Sequence, residues 1–178
     1  MSTAIMWFRQ DLRILDNEAL LEACLHHNQL ILLYIGPEQD CLPMGGAQKW
    51  WLHHSLNALS NDLKAHGQHL ILRQGDPKVI LESLINTHDV SHIYWNRLYE
   101  PCHIERDTAL KAHFKTQGVE VSTYNGSLLI EPWQIAPKSS SYFKVFTPFW
   151  KQALNQIQVE PFNLITSWPT PIHTPSDT

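Results

Sequence analysis

Residues Thr3–Leu20 read TAIMWFRQDLRILDNEAL. An apolar run breaks at Arg9 into a loop that alternates arginine and aspartate, and the loop gives way at Asp16-Asn17 to a helical pattern. The Asp16 or Asn17 side chain can accept a hydrogen bond from an orphan amide and so cap a helix through Leu20, Leu21, Cys24 and Leu25. A strand apolar on both faces that feeds directly into a helix is the first half of a βαβ unit, and it calls for a parallel sheet covered on both sides. Dinucleotide-binding folds place GxGxxG in this turn so that backbone can approach a pyrophosphate. Here the turn is RQDLRILDN and carries no glycine, so binding of NAD or FAD by this unit is not expected.

The same alternation repeats downstream. QLILLYIG (29–36) is apolar on both faces and predicts an interior strand. GPEQDCLPMGG (36–46) carries proline and glycine signals and predicts a loop. Leu52, Leu56, Leu59 and Leu63 then fall at spacings of four, three and four, which predicts a helix from about Ala47 to His66. HLILRQ (69–74), HIYWN (92–96) and VEVSTY (119–124) predict strands three to five. Helices over Pro77–Thr87 and Ile104–Gln117 lie between them, and Gly118 stands where a helix terminus favours positive φ. The fold class expected is α/β: a Rossmann-like, open, parallel five-stranded sheet with helices on both faces and ligands outside the carboxyl ends of the strands. From about Glu131 the periodicity dissolves, which divides the chain into a domain at 1–131 and a connector at 132–178.

The bulk properties narrow the function. With 178 residues, 43% of them hydrophobic, there is material for one core. A net charge of −4 lacks the footprint of a protein gripping duplex phosphates. Cys24, Cys41 and Cys102 are odd in number and far apart, which speaks against a disulfide framework or zinc knuckle and for a reducing cytoplasm. No run approaches the ~20 apolar residues of a membrane span. Of the eleven histidines, His26-His27 and His53-His54 are adjacent pairs that point to different sides of a helix, so no metal site is expected.

Three ordered segments carry a family likeness. WFRQDLRILDNEAL (7–20) resembles the N-terminal signature of the DNA photolyase and cryptochrome family. IYWNRLYEPCHIERD (93–107) resembles its fourth strand and following loop, and YFKVFTPFW (142–150) resembles the phrase with which that family leaves its first domain. The resemblance implies the α/β antenna domain of a deoxyribodipyrimidine photolyase, a light-driven lyase that repairs cyclobutane pyrimidine dimers. It implies further that FAD and damaged DNA belong to a helical domain absent from this chain, so that these residues by themselves are inactive. The same domain of a cryptochrome-like photoreceptor is the alternative. A free-standing nucleotide-binding module of the universal-stress type would need a late glycine-rich phosphate loop, and YNGSLLIEPW offers only Gly126.

An antenna site needs apolar and aromatic surface for a flat heterocycle and a few polar groups to orient it. The loops after strands two and four supply Pro43, Met44, Gly45, Lys49 and Trp50, and Asn96, Arg97, Glu100, Cys102 and His103. In folate-using members an Asn-Glu pair grips the pterin where this chain has Cys102 and His103. Methenyltetrahydrofolate is ranked first, with a deazaflavin or flavin second. Arg9, Asp11 and Arg13 have two compatible roles, as mutual salt bridges with a helix cap or as a seam toward the helical domain. Phe146, Phe149 and Trp150, interleaved with lysines, are read as cover for that domain ahead of a single-strand channel. No catalytic residue is expected within the chain.

Overall fold

The computed structural model describes residues 2–36, 44–135, 142–157 and 161–177. Strand β1 (Thr3–Phe8) is buried along its whole length, as a strand between two helical layers must be. Asn17 caps helix α1 (Glu18–His26): its side chain accepts from the Leu20 amide at 3.2 Å. Next come β2 (Gln29–Ile35), α2 (Gly46–Ala65), β3 (Leu70–Arg73), α3 (Pro77–His88), β4 (Val90–Asn96), α4 (Pro101–Thr116) and β5 (Glu120–Tyr124). Helix α4 begins three residues before the predicted start because Pro101 occupies a first-turn position, where its missing N–H costs nothing. Gly118 takes φ +77 just past α4, the left-handed turn that glycine accepts without strain.

All strand pairs are parallel and the order is β3-β2-β1-β4-β5. Side chains alternate between two cores. Ile5, Trp7, Ile31, Ile93 and Trp95 pack with α3 and α4 on one face, whereas Met6, Phe8, Leu30 and Leu32 pack with α1 and α2 on the other. Each fully buried aliphatic side chain contributes about 1.5–3 kcal/mol. The expected α/β sheet with helices on both faces is therefore present.

The region after Glu131 holds more structure than its periodicity predicts. Helix α5 spans Phe146–Leu154, and a two-residue strand, β6 (Thr170–Pro171), pairs in parallel with the start of β2. Pro148 disguises α5 in the sequence, yet it stands in the first turn, where proline is tolerated. Cys24 is buried and free, while Cys102 is disulfide-bonded, a pairing for which the cysteine spacing offers no signal. Among the described residues, no helix is long and apolar enough to cross a membrane, and no three His, Cys, Asp or Glu side chains are grouped to hold a metal ion.

Candidate functional site

Strand order reverses between β1 and β4, so the loops after these strands splay apart at the carboxyl edge of the sheet and leave a crevice there. What fixes the loop walls is the alternating charge that follows β1. Arg9 is 7% exposed. Its guanidinium donates to both carboxylate oxygens of Asp107 on α4, at 2.9 and 2.7 Å, and to the Asn96 carbonyl. The rings of Trp7 and Trp95 lie 5.2 and 5.7 Å from it. Burial pulls the Arg9 pKa down, and Asp107 works against that shift.

Asp11 is equally buried. Its carboxylate accepts from the Arg9 amide at 2.8 Å and from Asn96 Nδ2 at 2.5 Å, and Asn96 Nδ2 also donates to Asn17 Oδ1 at 2.8 Å. One network therefore ties the β1 loop, the α1 cap and the end of β4. Arg13 leaves it and reaches the Gly126 carbonyl at 2.7 Å. Gly126 must be glycine, since a Cβ there would stand 2.6 Å from Asn96. Arg97 grips Glu131 through two hydrogen bonds, at 2.7 and 3.0 Å, and Tyr99 donates to the same carboxylate at 2.6 Å. These bonds root the segment after β5 on the sheet.

Two cavities flank the β1 loop. The larger, of about 610 Å³, lies between that loop and α2, with walls from Leu12, Tyr34, Met44, Trp51 and Leu52 and polar groups from Gln10, Gln48 and Ser55. Burial pushes the Tyr34 hydroxyl up to about 12, so it faces the cleft as a neutral phenol. The smaller, of about 110 Å³, lies at the strand-order reversal among Asp11, Asn96, Arg97 and Gly126. Gln10 and Arg13 line both.

The residues expected to form one groove do not all meet. Met44 lines the large cleft, and Asn96 and Arg97 line the small one. Gly45 caps α2, and Trp50 turns aside to lie 4.3 Å from the His54 ring. Gly45, Lys49, Trp50, Glu100, Cys102 and His103 line neither cavity, and Pro43 lies outside the described residues. Trp51 occupies the place expected for Trp50. The sequence carries a signal for it, since Gln48, Trp51, Leu52 and Ser55 recur at i, i+3, i+4 and i+7 and so share one helix face. Arg9 and Asp11 turn inward as buried cavity walls, and Arg13, which lines both cavities, is the least buried of the three. Phe146, Phe149 and Trp150 cluster on α5, with the rings of Phe146 and Trp150 stacked 6.1 Å apart and that of Phe149 tilted at 6.3 Å from Phe146.

Comparison with known proteins gives this edge a context. The DNA photolyase family matches residues 4–171. Over 147 residues the chain is 45% identical to the deoxyribodipyrimidine photo-lyase of Agrobacterium fabrum, covering 83% of this chain and 30% of that protein. Cryptochrome-1 of Arabidopsis thaliana is 33% identical over 154 residues, covering 85% of this chain and 23% of the relative. The crystal structure of a bacterial class III photolyase from Agrobacterium tumefaciens superposes with a TM-score of 0.91 at 39% identity, covering the whole of this chain and 37% of that one. An archaeal photolyase from Sulfolobus tokodaii, solved with two FAD molecules, shares the fold at a TM-score of 0.82 and 23% identity, covering 96% of this chain and 38% of that one. The chain thus spans about 23–38% of the length of these proteins. Glycine-free turn, charged β1 loop and connector phrase all fall within the matched region, and the chain belongs to the DNA photolyase family, whose N-terminal α/β domain it forms.

Proposed function

We propose that this chain is the antenna domain of a deoxyribodipyrimidine photolyase. It holds a light-absorbing heterocycle, and repair itself proceeds in a helical, FAD-binding partner domain that packs on α5. The observation that carries the reading is the 610 Å³ cleft between the β1 loop and α2, apolar on its walls and polar at a few points. The photolyase relative at 45% identity, against 33% for the cryptochrome, favours repair over photoreception.

The cleft fits a flat ring. Trp51 supplies a stacking wall, Leu12, Met44 and Leu52 line the cleft with apolar surface, and Gln10, Gln48 and Ser55 are placed to fix ring orientation through hydrogen bonds. A bound chromophore would supply absorption in the near ultraviolet or blue. Methenyltetrahydrofolate, ranked first from sequence, would draw on residues around α4, yet Glu100, Cys102 and His103 stand apart from the cleft. The geometry therefore moves support toward the second-ranked deazaflavin or flavin. The Sulfolobus relative, described with a second FAD as an implied light-harvesting cofactor, is consistent with that shift.

Titration of the purified chain with methenyltetrahydrofolate, a deazaflavin and FMN, read by chromophore absorption, tests the reading. One of the three is expected to bind, Trp51→Ala to weaken it about tenfold through loss of stacking, and Trp50→Ala to leave it unchanged. Absence of a shift at saturation with all three would remove the antenna role. Under blue light the chain alone is expected to leave a thymine-dimer oligonucleotide unrepaired, because on this reading the cleft holds an antenna and the electron donor to the lesion is the FAD of the helical domain. Repair by the isolated chain would refute the division of labour.

A further inference from the structure

The segment from Ile165 to Asp177 crosses the edge of the sheet from one face to the other. Ile165 and Trp168 pack with the α1 and α2 core, whereas Ile172 packs with the α3 and α4 core. Between them the backbone pairs with the sheet. The Thr170 amide donates to Asn28 at 2.9 Å and the Ile172 amide to Leu30 at 3.1 Å. Farther along, the Leu72 amide donates to Ser176 Oγ at 3.1 Å, and the Asp177 amide donates to the Leu72 carbonyl at 2.9 Å. Asp177 also accepts from the Gln74 amide at 2.9 Å and from Arg73 at 3.1 Å. The segment thereby occupies main-chain groups that an open edge would offer to another strand.

Its side chains meet the turn between α2 and β3 through two ring stacks. Trp168 lies on His66 at 4.9 Å, and His173 lies on His69 at 4.1 Å with the planes only 6° apart. Two neutral imidazoles stack without charge repulsion. Two imidazolium rings at that distance repel, and their planes leave no room for a counter-ion between them. Among the described residues, the charged and titratable groups along this seam are His66, His69 and Arg73 on the sheet side and His173 and Asp177 on the tail. Of these, His173 is the one whose charge bears on His69. Arg73 is engaged with Asp177 and Thr174.

We propose that residues Ile165–Asp177 form a detachable clasp over the β2–β3 edge, with the His69–His173 stack as its acid-sensitive element. Burial pushes His69 below the ordinary imidazole value and His173 adds to the shift, while the Ile172 backbone opposes them. A depressed histidine pKa means that the clasp is at full strength above about pH 6.5 and weakens as the pH falls below that value. Its release uncovers the Leu72 and Gln74 amides and leaves β3 as a bare edge, the geometry that pairs with a second copy.

Hydrogen exchange on the full 178-residue chain, corrected for the intrinsic pH dependence of exchange, tests this. Between pH 7.5 and 5.5 the amides of Thr170, Ile172, Leu72 and Gln74 are expected to lose protection by about tenfold, while those of β1 and β4 hold. His173→Phe keeps a stacking ring that cannot take up a proton, and its clasp amides are expected to stay protected at pH 5.5. Three results would overturn the proposal. They are unchanged protection in the parent chain, the same acid loss in His173→Phe, or a clasp already open at pH 7.5 in both His173→Phe and His69→Phe, which would show that ring identity and not charge holds the seam.

Discussion

At Arg9 a permanent charge is taken out of water and matched by the Asp107 carboxylate, the Asn96 carbonyl and two indole faces. Such a pair adds little over an apolar substitute of the same shape, but losing one partner strands the other without solvent. Asp107→Ala is therefore expected to lower unfolding stability by about 3–5 kcal/mol, measured by urea denaturation. A loss within the usual range for an exposed ion pair, below about 1 kcal/mol, would show that Arg9 escapes to water. The sequence shows the loop's charges but not their destinations. Arg9 and Asp107 are 98 positions apart, and nothing in local pattern distinguishes an arginine that pairs across the sheet from one that pairs with the aspartate two residues on. Hence the charged loop could be read as structural, and its inward turn could not.

Elements were more legible than contacts because their signals are local. The stripe Leu52, Leu56, Leu59, Leu63 places α2 within a residue of its observed ends, and the apolar runs locate all five main strands. What failed to show was direction around a helix axis. Trp50 and Trp51 are both aromatic and adjacent, and only the positions of Gln48, Leu52 and Ser55 decide which one faces the cleft. Helix α5 is hidden for a different reason: Pro148 interrupts its pattern, and no α5 side chain belongs to either core cluster that the periodic segments build. Phe146 is 69% exposed and Leu154 54% exposed, while Ala153 is buried. An amphipathic helix with its aromatic face outward attracts other apolar surface. The chain is expected to bind a hydrophobic-surface dye and to associate weakly at high concentration. Phe146→Ser together with Trp150→Ser is expected to reduce both without loss of secondary structure by circular dichroism. Undiminished dye binding in the double variant would place the exposed patch elsewhere, with the upper part of α2 as the next site to change.

For the whole molecule the pH response follows from where its histidines are packed. His27 ends α1 and reaches the Tyr94 hydroxyl at 3.0 Å, with its ring 5.3 Å from that of His92. His92 in turn stacks on Tyr94 at 4.2 Å and bonds Ser122 at 2.9 Å. Burial depresses both histidines, and each has a neighbouring imidazole that deepens the shift, with Glu120 opposing it. The unfolded chain takes up protons on these rings near pH 6.5, before the native state does. On acidification the unfolded state thus binds more protons, so stability rises with pH through this window and falls as the pH drops below it. The cluster lies at the amino-terminal half of β4, away from the cleft, so the effect is on the fold and not on ligand binding. The urea midpoint is expected to be flat from pH 8 to 7 and to decline from about pH 6.5 to 5. His27→Gln, which keeps a polar group near Tyr94 but cannot be charged, is expected to flatten that decline while lowering the neutral midpoint only modestly. A midpoint that stays constant from pH 7.5 to 5 in the parent chain would mean that solvent reaches both rings in the native fold, and the packing of α1 against β4 would then be looser than these distances describe.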